Sequence, residues 1–113
     1  MNEIAIRSFV DADGRIPFQL WLDALDAQAQ AKIGVALYRL AQGNRSRVKG
    51  IGGRVAELKV DFGPGYRIYF GQDGATLVIL LAGGTKRRQS ADILTAKARW
   101  ADYKARKGRK TRE

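Results

Sequence analysis

The fold is decided by one continuous stretch, residues 55–88, which reads VAELKVD (55–61), FGPG (62–65), YRIYFGQDG (66–74), ATLVILLAGG (75–84) and TKRR (85–88). Alternating apolar residues in two of these segments, and an unbroken apolar run in a third, predict three consecutive strands. The turn sequences Phe62–Gly65 and Asp73–Gly74 would reverse the chain between them. The stretch therefore predicts an antiparallel sheet with the strand Leu77–Leu81 at its centre.

Strand alternation also predicts which charged side chains leave the core. Ala56, Leu58 and Val60 would face inward. The residues predicted to point outward are Glu57, Lys59, Arg67 and Tyr69. Because cross-strand neighbours lie about 5 Å apart, these side chains can converge, with Lys86, Arg87 and Arg88 following the next strand. Such a cationic surface with one carboxylate suits a phosphodiester. The alternative is that an outward ion pair is simply solvated, in which case it contributes about 0–1 kcal/mol to stability.

The flanking sequence predicts helices on this sheet. Residues Glu3–Val10 alternate as a strand, Pro17 suits the first turn of a helix, and Asp26 can cap a second helix that ends at Gly43. A last helix is expected to begin near Ser90. The predicted fold class is α+β, in the order β-α-α-β-β-β-α, with a mostly antiparallel four-stranded sheet packed with helices.

Composition limits the function. The 113 residues carry 21 Lys and Arg against 11 Asp and Glu, a net charge of +10, which favours a polyanionic partner. The sequence contains neither Cys nor His, so it lacks the usual side-chain ligands of zinc and the histidine of a Ser-His-Asp triad. No apolar run reaches the roughly 20 residues of a membrane span, and no signal peptide is recognisable, so we expect a cytoplasmic protein.

Two basic segments stand outside the predicted strands and helices. Residues Arg45–Arg54 combine four cations with three glycines and no apolar period, which predicts a mobile basic loop. Residues 108–113 hold too little apolar material to order themselves and are predicted to be a disordered basic C-terminal tail. Both segments would recruit a polyanion through diffuse attraction.

The blocks ELKVDFGPGYRIYF (57–70) and LVILLAGGTKRRQSADILTAKA (77–98), together with PFQLWLDAL (17–25), resemble the RelE/ParE superfamily of bacterial toxins. Within it they look like the branch called addiction-module killer proteins. The resemblance implies a single RelE-like toxin domain over residues 1–107, whose small antiparallel sheet carries two N-terminal helices and one C-terminal helix. That order agrees with the one predicted from the residues.

The resemblance further implies the toxin of a type II toxin-antitoxin module. Such a toxin is held inactive by a cognate antitoxin, in this branch commonly a small helix-turn-helix protein. Once liberated, RelE-like toxins enter the ribosome and cut mRNA there without a metal or any other cofactor. The ribose 2′-hydroxyl attacks the adjacent phosphate, and the reaction needs a proton acceptor, a group that stabilises the phosphorane and a proton donor.

Individual roles follow from the same resemblance. Arg67 matches the phosphate-clamping arginine, Lys59 a lysine that binds phosphate or transfers protons, and Lys86 or Arg87 the cation after the last strand. Glu57 departs from the family pattern, because ribosome-dependent relatives can carry a basic residue there. Its carboxylate is one candidate proton acceptor, since such groups are deprotonated at neutral pH, and a lysine with a lowered pKa is the other. The further residues expected to bind RNA or phosphate are Arg87, Arg88, Tyr69, Arg45, Arg47, Lys49 and Arg54.

Two other functions remain open from the sequence. The start of the last helix offers Asp92 where nucleolytic relatives can carry a catalytic tyrosine, which keeps open a ParE-like inhibitor of DNA gyrase that cuts no RNA. The order helix-strand-strand-strand-helix is also that of a double-stranded RNA-binding domain, which reads phosphates and 2′-hydroxyls. A non-catalytic RNA-binding module is therefore the third hypothesis.

Overall fold

The computed structural model describes residues 3–111, and the side chains of residues 3–108. The elements are β1 (Ala5–Ser8), α1 (Pro17–Asp23), α2 (Ala27–Ala41), β2 (Val48–Gly52), β3 (Val55–Val60), β4 (Tyr66–Asp73), β5 (Leu77–Thr85), a 3₁₀ turn (Lys86–Arg88) and α3 (Gln89–Thr111). Within the described residues the strands form one sheet in the order β1-β5-β4-β3-β2, with β1 parallel to β5 and the other pairs antiparallel. The predicted α+β class is confirmed, and the sheet has five strands rather than four.

The additional strand, β2, replaces most of the predicted mobile loop at residues 45–54. It pairs antiparallel with β3, Val48 opposite Leu58 and Lys49 opposite Glu57, and its register shifts between Gly50 and Gly52. Because its sequence VKGIG has no clear alternation, local pattern could not reveal it. Hydrogen bonding to the otherwise unpaired edge of β3 makes it a strand.

The first core lies between one face of the sheet and helices α1 and α2. The inward positions predicted for β3 are confirmed, and these side chains pack with Phe18, Ile33 and Leu40 of the helices. The predicted cap is also confirmed, because Asp26 Oδ1 accepts a hydrogen bond of 2.8 Å from the backbone N–H of Ala29. Gly43 ends the helix region with φ +89°, a left-handed value that glycine adopts without strain.

A second core covers the opposite face of the sheet, where the sequence predicted exposed side chains on β3 and β4. Helix α3 places Ala96 and Trp100 against Tyr69, Ile79 and Leu81. Trp100 lies directly on Gly71, where an added Cβ would overlap the indole ring. Aromatic rings of this size each bury about 150–250 Å², so several kcal/mol of burial hold α3 to the sheet. The face that carries Arg67 is therefore internal.

Helix α3 starts where it was predicted to start and extends beyond residue 107. It begins at Gln89, directly after the 3₁₀ turn and next to Ser90. It continues to Thr111 and so includes residues 108–111 of the predicted tail, whereas Arg112 and Glu113 lie outside the described residues. An existing helix adds residues at little cost, and Lys and Arg are good helix formers. No helix in residues 3–111 has the length and apolar character needed to cross a membrane.

Candidate nucleic-acid interface

Three of the predicted site cations converge at one end of the sheet. Lys59 of β3 lies opposite Arg67 of β4. The backbone N–H of Lys86 donates to the carbonyl of Gly65 over 2.7 Å, which fixes the start of the 3₁₀ turn beside the β3–β4 turn. A Cβ built on Gly65 would lie 3.6 Å from both Arg67 Nη1 and Lys86 Cβ. We call Lys59, Arg67 and Lys86 the cationic cluster.

The members of the cationic cluster differ in exposure. The Lys59 and Lys86 side chains are exposed, but Arg67 is only 5% exposed because the beginning of α3 lies over it. Its Nη1 donates to the carbonyl of Tyr66 over 3.2 Å, and its Nε lies 3.8 Å from Glu57 Oε2 without making a hydrogen bond. Arg67 was predicted to point into solvent, and that orientation is wrong.

Glu57 is also buried rather than exposed. Its Oε1 accepts a hydrogen bond of 2.5 Å from Nε2 of Gln89, the first residue of α3. A buried carboxylate needs such a donor, because an unpaired charge away from water is strongly unfavourable. Gln89 did not stand out in the sequence, where it follows TKRR in the predicted exit loop. The signal that identifies Gln89 is the buried Glu57 carboxylate, which faces the start of α3.

Asp92 brings a second carboxyl group to the same place. A Cβ built on Gly84, the residue opposite Arg67 in β5, would overlap Asp92 Oδ2. Only a residue without a side chain lets α3 approach the sheet so closely here. Burial raises the pKa of Asp92, and the charges of Arg88 and Arg99 oppose that rise. Oδ2 is buried without a hydrogen-bond partner among the described residues.

Tyr69 lies in the second core and not on an RNA-facing surface. It is fully buried, so the prediction of an exposed ring is wrong. Burial, followed by the nearby charges of Glu57 and Asp92, raises the pKa of Tyr69 to about 12, against a smaller lowering by Arg67. The Tyr69 hydroxyl has no hydrogen-bond partner in the described structure. Tyr69, Arg67 and Asp92 thus bring three unsatisfied polar atoms beneath the first turns of α3.

Exposed cations surround this buried polar group. Lys49 of β2 lies opposite Glu57, and Arg87 and Arg88 occupy the 3₁₀ turn beside Lys86. Lys97 of α3, which was not among the predicted site residues, has its Nζ 3.4 Å from a Cβ built on Gly52. The face around the start of α3 is therefore positively charged and suited to phosphate groups.

Of the remaining predicted cations, Arg45 and Arg54 lie elsewhere, whereas Arg47 lies beside Lys59. Arg45 Nη1 donates to the Gln72 side chain over 3.3 Å, and Arg54 Nε donates to the Gln72 carbonyl over 3.3 Å. Gln72 is five residues beyond Arg67 in β4, which is about 16 Å along the strand. Arg47 forms an ion pair of 2.6 Å with Asp61. The structure therefore does not bring Arg45 and Arg54 to the cationic cluster.

Comparison with known proteins places the chain in a family. The family model described as Phage derived protein Gp49-like (DUF891) matches residues 20–101. A protein of Haemophilus influenzae (strain ATCC 51907 / DSM 11121 / KW20 / Rd), described as "Uncharacterized protein", is 41% identical over 83 residues, which cover 73% of this chain and 84% of that protein. The region matched by the family model runs from α1 to the residue after Trp100 and includes the whole cationic cluster. The chain belongs to the phage-derived Gp49-like family.

Proposed function

We propose that this chain is the toxin of a type II toxin-antitoxin module, related to the RelE/ParE toxins, and that it cleaves mRNA on the ribosome without a metal ion. Membership of the Gp49-like family and the order of strands and helices support the proposal. The observation that carries it is the convergence of Lys59, Arg67 and Lys86 at one end of the sheet.

Arg67 is the proposed phosphate clamp. Its planar guanidinium can donate two parallel hydrogen bonds to a phosphate, which an ammonium group cannot do in the same geometry. Among the described residues its Nε has no hydrogen-bond acceptor, and its ion pair with Glu57 is long, at 3.8 Å. A phosphate would supply the missing acceptors. Lys59 and Lys86 would add charge on the solvent side.

The proposed cleavage is an in-line attack of the ribose 2′-oxygen on the adjacent phosphorus. The Glu57 carboxylate takes the 2′-hydroxyl proton, and Arg67 stabilises the phosphorane charge. Lys59 or Lys86 gives a proton to the 5′-oxygen as its bond to phosphorus breaks. The products are a 2′,3′-cyclic phosphate and a 5′-hydroxyl, and water then returns both protein groups to their starting protonation states.

This chemistry requires the start of α3 to move. Arg67 and Glu57 are both buried, and Gln89 already holds one Glu57 oxygen. A phosphate can reach them only if residues 86–92 lift away from β4. Loops and element ends that close over a site commonly open on the microsecond to millisecond timescale. The described conformation is therefore the closed state of the proposed site.

Pulse labelling after induction tests the proposed function. The chain is expressed alone in a bacterial host, and protein and DNA synthesis are followed separately against the Arg67→Lys variant. Prompt loss of protein synthesis with the natural chain, and near-normal synthesis with Arg67→Lys, is the expected result. Arg7→Lys, the same change at an exposed residue of the edge strand β1, is the matched control and should stay toxic. Earlier failure of DNA synthesis would replace the proposal with gyrase inhibition.

A further inference from the structure

A second concave surface lies on the first-core side of the sheet, between α2 and the end of β3. It encloses about 330 Å³. We call it the α2–β3 groove, and its principal lining residues are Lys32, Val35, Arg39, Arg47, Lys59 and Phe62. Lys32, Val35 and Arg39 recur every three or four residues along α2, so they share one face of the helix.

The groove has an excess of positive charge. Among the described residues that line it are four cations and one carboxylate, that of Asp61. Asp61 forms ion pairs with Arg47 at 2.6 Å and with Lys59 at 3.9 Å. Lys32 lies over the Phe62 ring, with its Nζ 5.5 Å from the ring centroid. The groove therefore attracts carboxylates or phosphates.

The floor of the groove is apolar, which distinguishes it from the cationic cluster. Leu58 and Val60 lie at its base, and Val35 remains 48% exposed on the α2 wall. Tyr38, one turn further along α2, is 64% exposed. A sugar-phosphate backbone cannot cover these carbon atoms favourably. An apolar side chain can, with a gain of about 25 cal/mol for each Å² removed from water.

We propose that the α2–β3 groove binds a short acidic segment of a partner protein, in which an apolar residue is flanked by two carboxylates. Lys32 and Arg39 are seven residues apart in α2, which separates their backbones by about 10.5 Å. Acidic residues four apart in an extended segment point to the same side and are separated by about 13 Å, so they can pair with these two long cationic side chains while the residue midway between them covers Val35. That the partner is the antitoxin rests on the function proposed above.

Occupation of the groove would also affect the proposed RNA site. Lys59 lines the α2–β3 groove and is a member of the cationic cluster. A carboxylate that pairs with Lys59 removes a charge that the cluster would otherwise offer to phosphate. The acidic segment therefore competes with RNA without entering the buried space around Arg67. A second copy of this chain is a poor occupant, because two molecules of net charge +10 repel each other.

A peptide selection on the full chain tests the groove. A phage-displayed library of random 12-residue peptides is selected on immobilised protein and counter-selected on Val35→Asp, which changes an exposed position on the α2 wall. Selected peptides are synthesised, labelled and titrated by fluorescence anisotropy. We expect them to carry two carboxylates about four residues apart, with an apolar residue midway between them. Arg39→Glu should weaken them about tenfold or more, whereas the same charge change at Arg7 should have less than about threefold effect.

Several outcomes would overturn the inference. The selection could yield no peptide whose binding depends on Val35, or the selected peptides could lack acidic residues. Arg39→Glu and Arg7→Glu could also weaken peptide binding equally. A labelled single-stranded RNA that binds tenfold less well to Val35→Asp would assign the groove to nucleic acid. A dimer in sedimentation that Val35→Asp abolishes would assign it to a second copy. None of these readings uses ribosomes or growth arrest, so the groove and the proposed toxin function can fail separately.

Discussion

Gln89 joins the first residue of α3 to the middle of β3, because its Nε2 donates a hydrogen bond of 2.5 Å to Oε1 of Glu57, 32 positions earlier in the chain. The bond closes the helix over Arg67, whose Nε is left without an acceptor in the described structure. A single amide side chain thus joins the carboxylate of the proposed site to the start of α3. Its removal should separate closure of the site from its chemistry.

Replacement of Gln89 by Ala should open the start of α3. Glu57 then loses a donor while it remains buried, which costs about 1–3 kcal/mol of closed-state stability. We expect faster hydrogen exchange of the amides of residues 86–93, measured by mass spectrometry at pH 7, and tighter binding of a short single-stranded RNA.

Gln19→Ala is the matched control, because Gln19 makes an exposed side-chain hydrogen bond of 2.7 Å to Asp23 within α1. This variant should leave exchange in residues 86–93 unchanged. If Gln89→Ala exchanges like the natural chain, Gln89 does not hold the site closed.

Replacement of Gly84 by Ala should push α3 away from the sheet. The added Cβ would overlap Asp92 Oδ2, so either the helix or the carboxyl group has to shift. Forced overpacking of this kind costs about 1–3 kcal/mol, and urea unfolding followed by circular dichroism measures it.

Two further variants define the cause of that loss. Asp92→Ala should restore much of the stability of Gly84→Ala, since it removes the clashing carboxyl group. Gly34→Ala, within α2 and with no neighbour within 4 Å of its Cβ, should instead stabilise the chain by about 0.5–1 kcal/mol. Equal stability of Gly84→Ala and the natural chain would contradict the close approach of α3.

Tyr69 should make the protein sensitive to alkali. Its pKa is raised to about 12 in the folded chain, whereas an unfolded tyrosine titrates near 10. Between these values the unfolded chain has released the proton and the folded chain retains it. The contribution of Tyr69 to the free energy of unfolding is therefore complete below pH 10. It falls as the pH rises and is lost above about pH 12, with a total near 2–3 kcal/mol.

Tyr69→Phe tests this assignment. The Tyr69 hydroxyl is buried without a partner among the described groups, so its removal should be neutral or stabilising at pH 7 by up to about 1 kcal/mol. The loss of unfolding free energy between pH 10 and 12 should be smaller than in the natural chain. Tyr38→Phe changes an exposed ring and should leave that loss intact. A steeper alkaline loss in Tyr69→Phe would refute the explanation.

The buried pair of Glu57 and Arg67 should show strong coupling. Arg67→Met leaves a buried carboxylate without its cation, which costs about 3–5 kcal/mol, whereas joint replacement by neutral residues of similar volume is often close to neutral. Glu57→Gln with Arg67→Met should therefore be more stable than Arg67→Met alone. Urea unfolding of the natural chain, both single variants and the double variant gives the coupling. Additive losses would show that the 3.8 Å contact carries no energy.

Local sequence pattern was sufficient for the first core. Asp26 at a helix start and the alternation around Leu58 act through neighbouring residues, and both predictions are confirmed. The second core depends on where α3 docks. The polar residues Glu57 and Arg67 on that face of the sheet predicted instead that it is exposed to solvent. Strand β2 likewise exists through its ladder with β3 rather than through its own sequence.

In the candidate site, too, local sequence pattern predicted one part and distant packing determines the other. Strand order and turn positions predicted that Lys59, Arg67 and Lys86 would meet, because register follows from the hairpins between them. The burial of Arg67 and the hydrogen bond between Gln89 and Glu57 could not be predicted, since they arise from contacts between segments that are distant in the chain. Distant packing, and not local propensity, sets the access to the site.

The most direct test of the central claim is end-group analysis of an mRNA in a purified translation reaction to which the natural chain or Arg67→Lys is added. We expect the natural chain to cut the ribosome-bound mRNA and to leave a 2′,3′-cyclic phosphate and a 5′-hydroxyl. Folded Arg67→Lys should cut at least about 100-fold more slowly, because it loses the paired donors to the phosphorane. Intact mRNA with the natural chain, or equal cutting by folded Arg67→Lys, would contradict the proposed mechanism.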